Sequence, residues 1–420
     1  MSWRKNESIV PVLMFHSVGT RNDNWIWTDL SEKLDVFENL LSQLSRRGYV
    51  TVSLDELYNY MSGNARLPKN SLVLTFDDGY LDNWVFVAPM LRKFGMKGVV
   101  YVTPEFVDDS EIVRPSVEDV WSGNLNASEL DPIGFMSWAE LRRLDTEGTL
   151  DVQSHALTHT WYFSDGIVDD IHRPRSVCPY PWLSWNARPD RKPYYMSEDQ
   201  QSFVPWGYPV FRHEKSLITR RFFPDEAAIA EITGFVQEKG GREYFDDCGW
   251  QDDLSGRFEY LAGRERFPGT LESEGRYRER VRHEVLESKQ QLENKLCKKI
   301  KYLSWPGGGV NEVAAKLAAA AGYRSCTLSS WQKPDFRNLP GADPSGIKRV
   351  SGHSAVYWRG DRIADGGSWW VMRRVLQHQG SLASRLSMRV RKLAWIAGIN
   401  KKDRARLTSG SSSSSAGHHR

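Results

Sequence analysis

The chain has 420 residues, 40% of them hydrophobic, which is enough for a large core in one α/β domain with additions. Its 56 Lys and Arg nearly balance its 53 Asp and Glu, and a net charge of +3 argues against a nucleic-acid surface. The four cysteines are widely spaced without a CxxC pair, which is typical of reduced thiols. The first residues lack an apolar signal segment, and no run reaches the ~18 apolar residues of a membrane span, so we expect a cytoplasmic protein.

Predicted strands and helices alternate along the first 160 residues. Leu34, Phe37 and Leu41 recur at helical spacing, and Ser137 with Glu140 forms a capping box that starts a later helix. Such alternation favours parallel strands joined by right-handed crossovers. In chain order we predict a strand at 10–15, a helix at 33–47, a strand at 72–76, a helix at 83–94, strands at 98–102 and 150–154, and helices at 225–239 and 274–298.

Two adjacent acids follow the hydrophobic strand at 72–76. They are Asp77 and Asp78, and Gly79 comes next. Acids at a strand end often only cap the following turn. One of the pair can also be a metal ligand while the other acts as a base toward bound water.

Two histidines four residues apart follow the strand at 150–154. His155 and His159 would share one side in either a helix or an extended segment, although this spacing is also common by chance. Both motifs close strands, and active sites of parallel α/β sheets gather at the carboxyl ends of strands. One Asp and two His suffice to bind a catalytic divalent metal with a position open for water, so the two motifs together predict metal-assisted hydrolysis.

These motifs resemble those of the polysaccharide deacetylases, also known as the NodB-homology family or carbohydrate esterase family 4. Thr-Phe-Asp-Asp-Gly at 75–79 and Ser-His-x-x-x-His at 154–159 resemble its first two signatures, and 300–308 resembles the third. The resemblance covers about 8–160 and 280–355. It implies a distorted (β/α) barrel of about seven parallel strands.

The resemblance also implies roles for single residues. Asp77 would be the general base, and Asp78, His155 and His159 would bind a divalent metal. This ligand set suits Zn²⁺, and Co²⁺, Ni²⁺ or Mn²⁺ fit the same site. The third-motif loop would supply a backbone donor to the oxyanion at Gly307, where the family usually has an aromatic residue. The family's arginine in this motif, which orients the base, has no evident match.

The general acid and the substrate contacts rest on weaker matches. His353 is the late histidine in a strand-like setting and the candidate acid, against a purely structural role. His16, at the end of the first strand, is a candidate for facing the metal pocket. We expect it to contact substrate together with Trp161, Trp305 and Pro306.

A long insertion separates the second motif from the third. Its first part, 161–223, is rich in Trp, Tyr, Phe, Pro and Arg, which predicts irregular structure. We interpret it as a cap whose rings stack on sugars, because loops at this face of a barrel usually build the substrate site. The alternative is a surface excursion that packs on itself. The predicted domains are a barrel at 1–160 and 280–360, the insertion at 161–279, a basic helical tail at 361–407 and a disordered end at 408–420.

The tail combines positive charge with an apolar stripe. From Trp369 to Lys402 there are eight Lys or Arg and no Asp or Glu. A helix there would place its larger apolar residues on one side, which suits the surface of an anionic membrane. Docking of the same stripe on the barrel is the alternative. The stripe consists of Leu382, Leu386, Val390, Leu393 and Ala397.

The sequence thus predicts a metal-dependent hydrolase that removes N-acetyl or N-formyl from an amino sugar in a polysaccharide or a lipid-linked saccharide. Together, the expected cytoplasmic location and the basic tail favour a glycolipid intermediate at the inner membrane face. Two alternatives are a hydrolase of a small non-sugar amide and a non-catalytic saccharide-binding protein on the same fold.

Overall fold

The computed structural model describes residues 8–23, 25–262, 266–328 and 337–408. Its centre is a sheet of parallel strand segments arranged as a nearly closed barrel. In spatial order the segments are Gly346–Lys348, Ser325–Leu328, Tyr302–Leu303, Leu150–Ser154, Gly98–Val102, Ser71–Phe76, Val12–Phe15 and Val350–Ser351.

One run of chain closes this barrel. Gly346–Lys348 pairs with Ser325–Leu328, and Val350–Ser351 pairs with Val12–Phe15. Only Arg349 separates the two segments, so the eight segments occupy seven strand positions. The predicted barrel of about seven parallel strands is confirmed.

Helices cover the outside of the barrel because their apolar faces match its hydrophobic strands. Leu34–Arg46 buries Phe37, Leu40, Leu41 and Leu44 against it. The remaining helices of this layer are Leu54–Met61, Ala88–Lys93, Val117–Trp121, Trp138–Glu147, Glu274–Leu296, Glu312–Ala320 and Gly367–His378.

One predicted helix differs from the structure. We expected a single α-helix over 83–94, but Asn83–Val87 is a π-helical turn and the α-helix is Ala88–Lys93. Pro89 has no N–H to donate to the carbonyl four residues earlier, and its ring crowds that carbonyl. The wider turn relieves this conflict. The capping box of Ser137 and Glu140 is formed as predicted.

The insertion is more regular than the sequence indicated. Trp161–Ile171 and Pro209–Lys215 form an antiparallel hairpin, which corrects the prediction of irregular structure. Its partner strand lies some forty residues downstream, so no local pattern reveals the pairing. The insertion also contains helices Pro181–Ala187, Glu226–Glu238 and Trp250–Ala262, 3₁₀ turns Pro189–Tyr194, Gln201–Phe203 and Glu243–Asp246, and the small sheet of Phe222–Pro224 with Gly269–Leu271.

An aromatic core joins this insertion to the barrel. Trp182, Trp185 and Phe211 of the insertion share one buried cluster with Tyr80 and Phe106 of the barrel loops. We refer to residues 161–272 as the cap, because the cluster seats them over the carboxyl ends of the strands.

The chain ends in a ribbon and two helices. Ala355–Trp358 pairs with Asp361–Asp365, and Gly367–His378 packs beside Leu34–Arg46, with Gln43 donating to Ser368 at 2.9 Å. The last helix is Leu382–Thr408. Among the described residues, no helix has the length and apolarity of a membrane span. Residues 409–420, most of the predicted disordered end, lie outside the described residues.

The apolar stripe of the last helix faces away from the protein. Leu382, Leu386, Val390 and Leu393 are 77%, 64%, 59% and 64% exposed. The alternative interpretation, in which this stripe docks on the barrel, is therefore wrong for these four residues. A different side of the helix packs on the protein, through Met388.

Candidate metal centre and catalytic pocket

Three side chains converge beyond the ends of the second and fourth barrel strands. Asp78 Oδ1 lies 3.1 Å from His155 Nε2 and 3.3 Å from His159 Nε2. One ligand atom from each residue lies within 4.8 Å of the others. The structure thus brings together the three residues that the two motifs singled out.

The backbone around these ligands is strained. Asp78, Ala156 and His159 have φ angles of 75°, 59° and 44°, in the left-handed region that non-glycine residues rarely adopt. Each such residue costs on the order of 1–3 kcal/mol, and such residues cluster at functional sites. The surrounding core therefore holds the ligands in positions that an unconstrained loop would not choose.

The chemistry of this donor set fits a divalent metal ion. His155 Nδ1 lies 2.8 Å from the carbonyl oxygen of Ser304, which can only accept, so Nδ1 donates and Nε2 faces Asp78. A metal-binding histidine typically donates the N–H of its other ring nitrogen to an oxygen, as the Nδ1–H of His155 does to Ser304. Burial would lower the pKa of His155, but the carboxylates of Asp77 and Asp78 outweigh it and raise the pKa. The same negative field favours a bound cation.

Asp77 lies beside this group in a buried ion pair. Arg349 Nη1 is 2.6 Å from its Oδ1 and Arg349 Nη2 is 2.8 Å from its Oδ2, and both side chains are almost fully buried. Ser304 Oγ completes the contacts at 3.3 Å. Burial would raise the pKa of Asp77, but the Arg349 guanidinium and His155 hold it below its ordinary value. The carboxylate is thus ionised and oriented.

Arg349 is the arginine for which sequence analysis found no match. It stands between the two closing strand segments and reaches Asp77 across the barrel. A signal was present, since Arg349 begins the strand-like segment that contains His353. Only the closure of the barrel shows which residue it meets.

The three candidate metal ligands, Asp78, His155 and His159, line a cavity of about 240 Å³ together with Asp77. Trp27 and Trp161 stack at 5.9 Å on its rim, and Trp185 lies 5.7 Å from Trp27. Aromatic walls with a few polar groups are typical of a small-molecule or saccharide site. The lining consists of Met14, His16, Trp27, Leu30, Asp77, Asp78, Tyr80, Phe106, His155, His159, Trp161, Trp185, Tyr195, Trp305, Gly307, Gly308 and Arg349.

The two candidate histidines for proton transfer form a pair. His16 Nδ1 lies 3.3 Å from His353 Nε2, and burial lowers the pKa of both rings. His16 lines the catalytic cavity, whereas His353 lines a neighbouring one with Glu32. The Gly352 N–H donates to the Met14 carbonyl at 2.8 Å, which places His353 behind His16. The ring that faces the reacting groups is therefore His16.

The third-motif loop brings Trp305 and Gly307 to the cavity, whereas Pro306 is buried within the turn and outside the lining. Gly307 has φ +54°, and a Cβ there would lie 2.9 Å from Lys215 Cε of the cap. The left-handed φ of Gly307 explains why this position favours a residue without a side chain, since the Lys215 side chain is flexible enough to move. The Gly308 N–H donates to the Trp305 carbonyl at 2.9 Å, so the Gly307 N–H is the loop's candidate donor to a ligand.

Two tyrosines that sequence analysis did not single out lie next to the candidate ligand Asp78. The hydroxyl of Tyr80 lies within hydrogen-bond reach of two acceptors, the Asp78 carboxylate and the Tyr195 hydroxyl of the cap. Trp25 Nε1 donates to the Tyr195 hydroxyl at 3.0 Å. Burial, followed by these neighbours, raises the pKa of Tyr80 well above its usual range, so it stays protonated and donates.

Comparison with known proteins agrees with this geometry. Residues 64–178 match the family model described as polysaccharide deacetylase, a segment that contains both motifs. The chain is 30% identical over 103 residues to the putative polysaccharide deacetylase YxkH of Bacillus subtilis (strain 168), covering 24% of this chain and 35% of that protein. It is 27% identical over 138 residues to the poly-beta-1,6-N-acetyl-D-glucosamine N-deacetylase of Escherichia coli (strain K12), covering 33% and 19%.

The chain spans about a third and a fifth of the length of these two relatives. Among solved structures, the de-N-acetylase from Aggregatibacter actinomycetemcomitans is 16% identical, with a TM-score of 0.47 over 81% of this chain and 94% of that chain. The segment 64–178, which contains both motifs, is thus similar to the polysaccharide deacetylases.

Proposed function

We propose that this protein is a metal-dependent N-deacetylase acting on an N-acetylamino sugar within a saccharide. The observation that carries the proposal is the ionised, arginine-bound Asp77 beside the group of Asp78, His155 and His159. A protein that only binds saccharides has no need of a buried, ionised carboxylate beside three candidate metal ligands.

The residues of this chain fit the steps of amide hydrolysis. A divalent ion held by Asp78, His155 and His159, which we propose is Zn²⁺, would lower the pKa of a water molecule and polarise the amide carbonyl. Asp77 takes the proton of the attacking water, since Arg349 holds its carboxylate in the ionised form.

Two further groups act on the amide. The Gly307 N–H donates to the oxyanion that develops on the carbonyl oxygen. His16 would pass a proton to the leaving amine nitrogen, with the His353 ring as its hydrogen-bond partner at 3.3 Å. The proposed general acid is therefore His16, which lines the cavity, with His353 behind it. Sequence analysis had favoured His353 as the acid.

The proposed substrate is an N-acetylglucosamine polysaccharide or a lipid-linked precursor of one. Support comes from the aromatic rim of Trp27 and Trp161 and from the named substrate of the Escherichia coli relative. N-formyl amides are the alternative leaving group. The place of action would be the cytoplasmic membrane face, reached by the exposed, positively charged last helix.

Acetate release from defined saccharides tests this function. Zinc-loaded protein is given β-1,6-linked N-acetylglucosamine oligomers, chitin oligomers and small N-acetyl amides, and acetate and formate are measured, with chelator-treated protein as control. We expect metal-dependent acetate from at least one oligomer and none from the small amides. Equal turnover of the small amides would favour the small-amide hydrolase, and no product from any substrate would contradict the proposal.

A further inference from the structure

A buried lysine of the cap lies directly behind the metal-binding loop. Lys192 belongs to the short turn Pro189–Tyr194, and its side chain is 1% exposed. Its Nζ lies 2.6 Å from Glu105 Oε2 and also donates to the backbone carbonyl of Thr158. Thr158 immediately precedes the ligand His159, so Lys192 holds this loop from the cap side.

The same peptide is held from the barrel side by Glu284. The Thr158 N–H donates to Glu284 Oε2 at 3.1 Å and the Thr158 hydroxyl donates to Glu284 Oε1 at 2.6 Å. The Glu105 N–H donates to the Leu157 carbonyl at 3.3 Å. The segment before His159 is thus fixed by the charged side chains of Lys192 and Glu284 and by the backbone N–H of Glu105, which come from three separate parts of the chain.

The charges in this cluster require the lysine. Glu284 is buried, and Glu105 is close enough to affect it electrostatically. Lys192 is ion-paired with Glu105 and acts electrostatically on Glu284, and its ammonium lies 5.3 Å from the Phe106 ring and 5.7 Å from the Trp185 ring, two walls of the catalytic cavity. Removing the cation would leave the buried Glu284 and the partly buried Glu105 without their neighbouring positive charge, which is unfavourable.

The next residues of this turn reach the other metal ligand. The Tyr80 hydroxyl lies beside both the Tyr195 hydroxyl and the Asp78 carboxylate. One short segment of the cap, 189–195, therefore supports His159 through Lys192 and Asp78 through the tyrosines. Lys192 and Tyr195 themselves lie outside the segment 64–178 that matches the family model.

We propose that Lys192 is a positioning residue that couples the order of the cap to the metal loop, so that metal binding and cap docking reinforce each other. This inference rests on the metal site of the proposed function. It predicts that bound metal slows hydrogen exchange in the cap and that weakening the cap contact lowers the metal affinity, even without substrate.

Zinc binding and local exchange of the full chain test this coupling. Zn²⁺ is titrated calorimetrically into metal-free wild type, Lys192→Met, Lys192→Arg and Arg188→Met. The last removes an exposed cation of the same region, which pairs only with Asp190 among the ion pairs of the described residues. Hydrogen–deuterium exchange of 189–195 is measured with and without Zn²⁺.

We expect Lys192→Met to weaken Zn²⁺ binding at least tenfold, Lys192→Arg to recover part of it, and Arg188→Met to match wild type. Zn²⁺ should slow exchange of 189–195 in wild type and Arg188→Met. Wild-type affinity in Lys192→Met would overturn the coupling. Should Lys192→Met fail to fold, exchange in wild type decides alone, since a cap indifferent to bound Zn²⁺ overturns the inference and leaves the proposed function standing. A wild type that binds no Zn²⁺ overturns both.

Discussion

Arg349 determines the charge state of Asp77 in its buried position. Two short hydrogen bonds of 2.6 and 2.8 Å hold both carboxylate oxygens, and Ser304 links the pair to the loop that also orients His155. A planar guanidinium matches a carboxylate at two points, which an ammonium cannot do. Asp77, the proposed base, and His155, a candidate metal ligand, are therefore positioned by one connected network.

Replacing Arg349 should move the acid limb of the pH–rate profile. Asp77 accepts a proton only as a carboxylate, and its pKa lies below the ordinary value because Arg349 offsets the effect of burial. In Arg349→Met that pKa rises, so activity is lost at a higher pH when the solution is acidified. Arg349→Lys should give an intermediate shift.

The measurement is log(kcat/KM) for acetate release against pH, with bound metal determined in parallel. An acid limb at the wild-type pH in Arg349→Met, with metal retained, would show that Arg349 does not tune Asp77.

At the scale of elements, the last helix presents a surface that the fold leaves uncovered. Its four exposed aliphatic residues lie beside Arg385, Arg389, Arg391 and Lys392, without an acidic residue among them. Each basic residue near an anionic bilayer contributes about 1 kcal/mol of attraction. The sequence predicted the stripe, but whether it faces the barrel depends on how the helix packs, which only the structure shows.

The double change Leu386→Glu with Leu393→Glu should abolish sedimentation with vesicles that contain phosphatidylglycerol. Both side chains are mostly exposed, so the free energy of unfolding should stay within about 0.5 kcal/mol of wild type. Ile112→Glu, at a residue 59% exposed outside this helix, serves as the matched control and should sediment normally. Wild type that stays in the supernatant, or a double variant that still sediments, would count against membrane contact.

At the scale of the molecule, barrel closure depends on a residue without a side chain. The Gly352 N–H donates to the Met14 carbonyl at 2.8 Å, and a Cβ on Gly352 would overlap the ring of Phe15. That ring cannot move aside, because it stacks on Phe76 at 5.5 Å and meets Phe37 edge-on at 5.4 Å.

Gly352→Ala should therefore lower the free energy of unfolding by about 1–3 kcal/mol, as overpacking does. Gly234→Ala is the control, since Gly234 lies in the helix Glu226–Glu238 with nothing near its Cβ position, and it should stabilise by about 0.5–1 kcal/mol. Chemical denaturation of both variants measures the difference. A Gly352→Ala protein as stable as wild type would mean that the closing strand can shift.

The sequence predicted those parts of the site that are contiguous and follow hydrophobic strands. Asp77, Asp78, His155 and His159 belong to this class, whereas the barrel and its strand count were implied by the resemblance to the polysaccharide deacetylases. Arg349, Lys192 and Tyr195 reach the site only through barrel closure and cap docking, and no local pattern shows which residues meet across such distances. The contact between His16 and His353 could not be predicted for the same reason, because it depends on the pairing of the first and last barrel segments.

The measurement that tests the central claim most directly is bound metal and acetate release on the same preparations of wild type, Asp77→Asn and His155→Ala. The arrangement predicts one divalent ion per chain in wild type and Asp77→Asn and its loss in His155→Ala. Acetate should come from wild type, with Asp77→Asn slower by about 10²–10⁴-fold. Full turnover by Asp77→Asn, or no metal in wild type at neutral pH, would contradict the account.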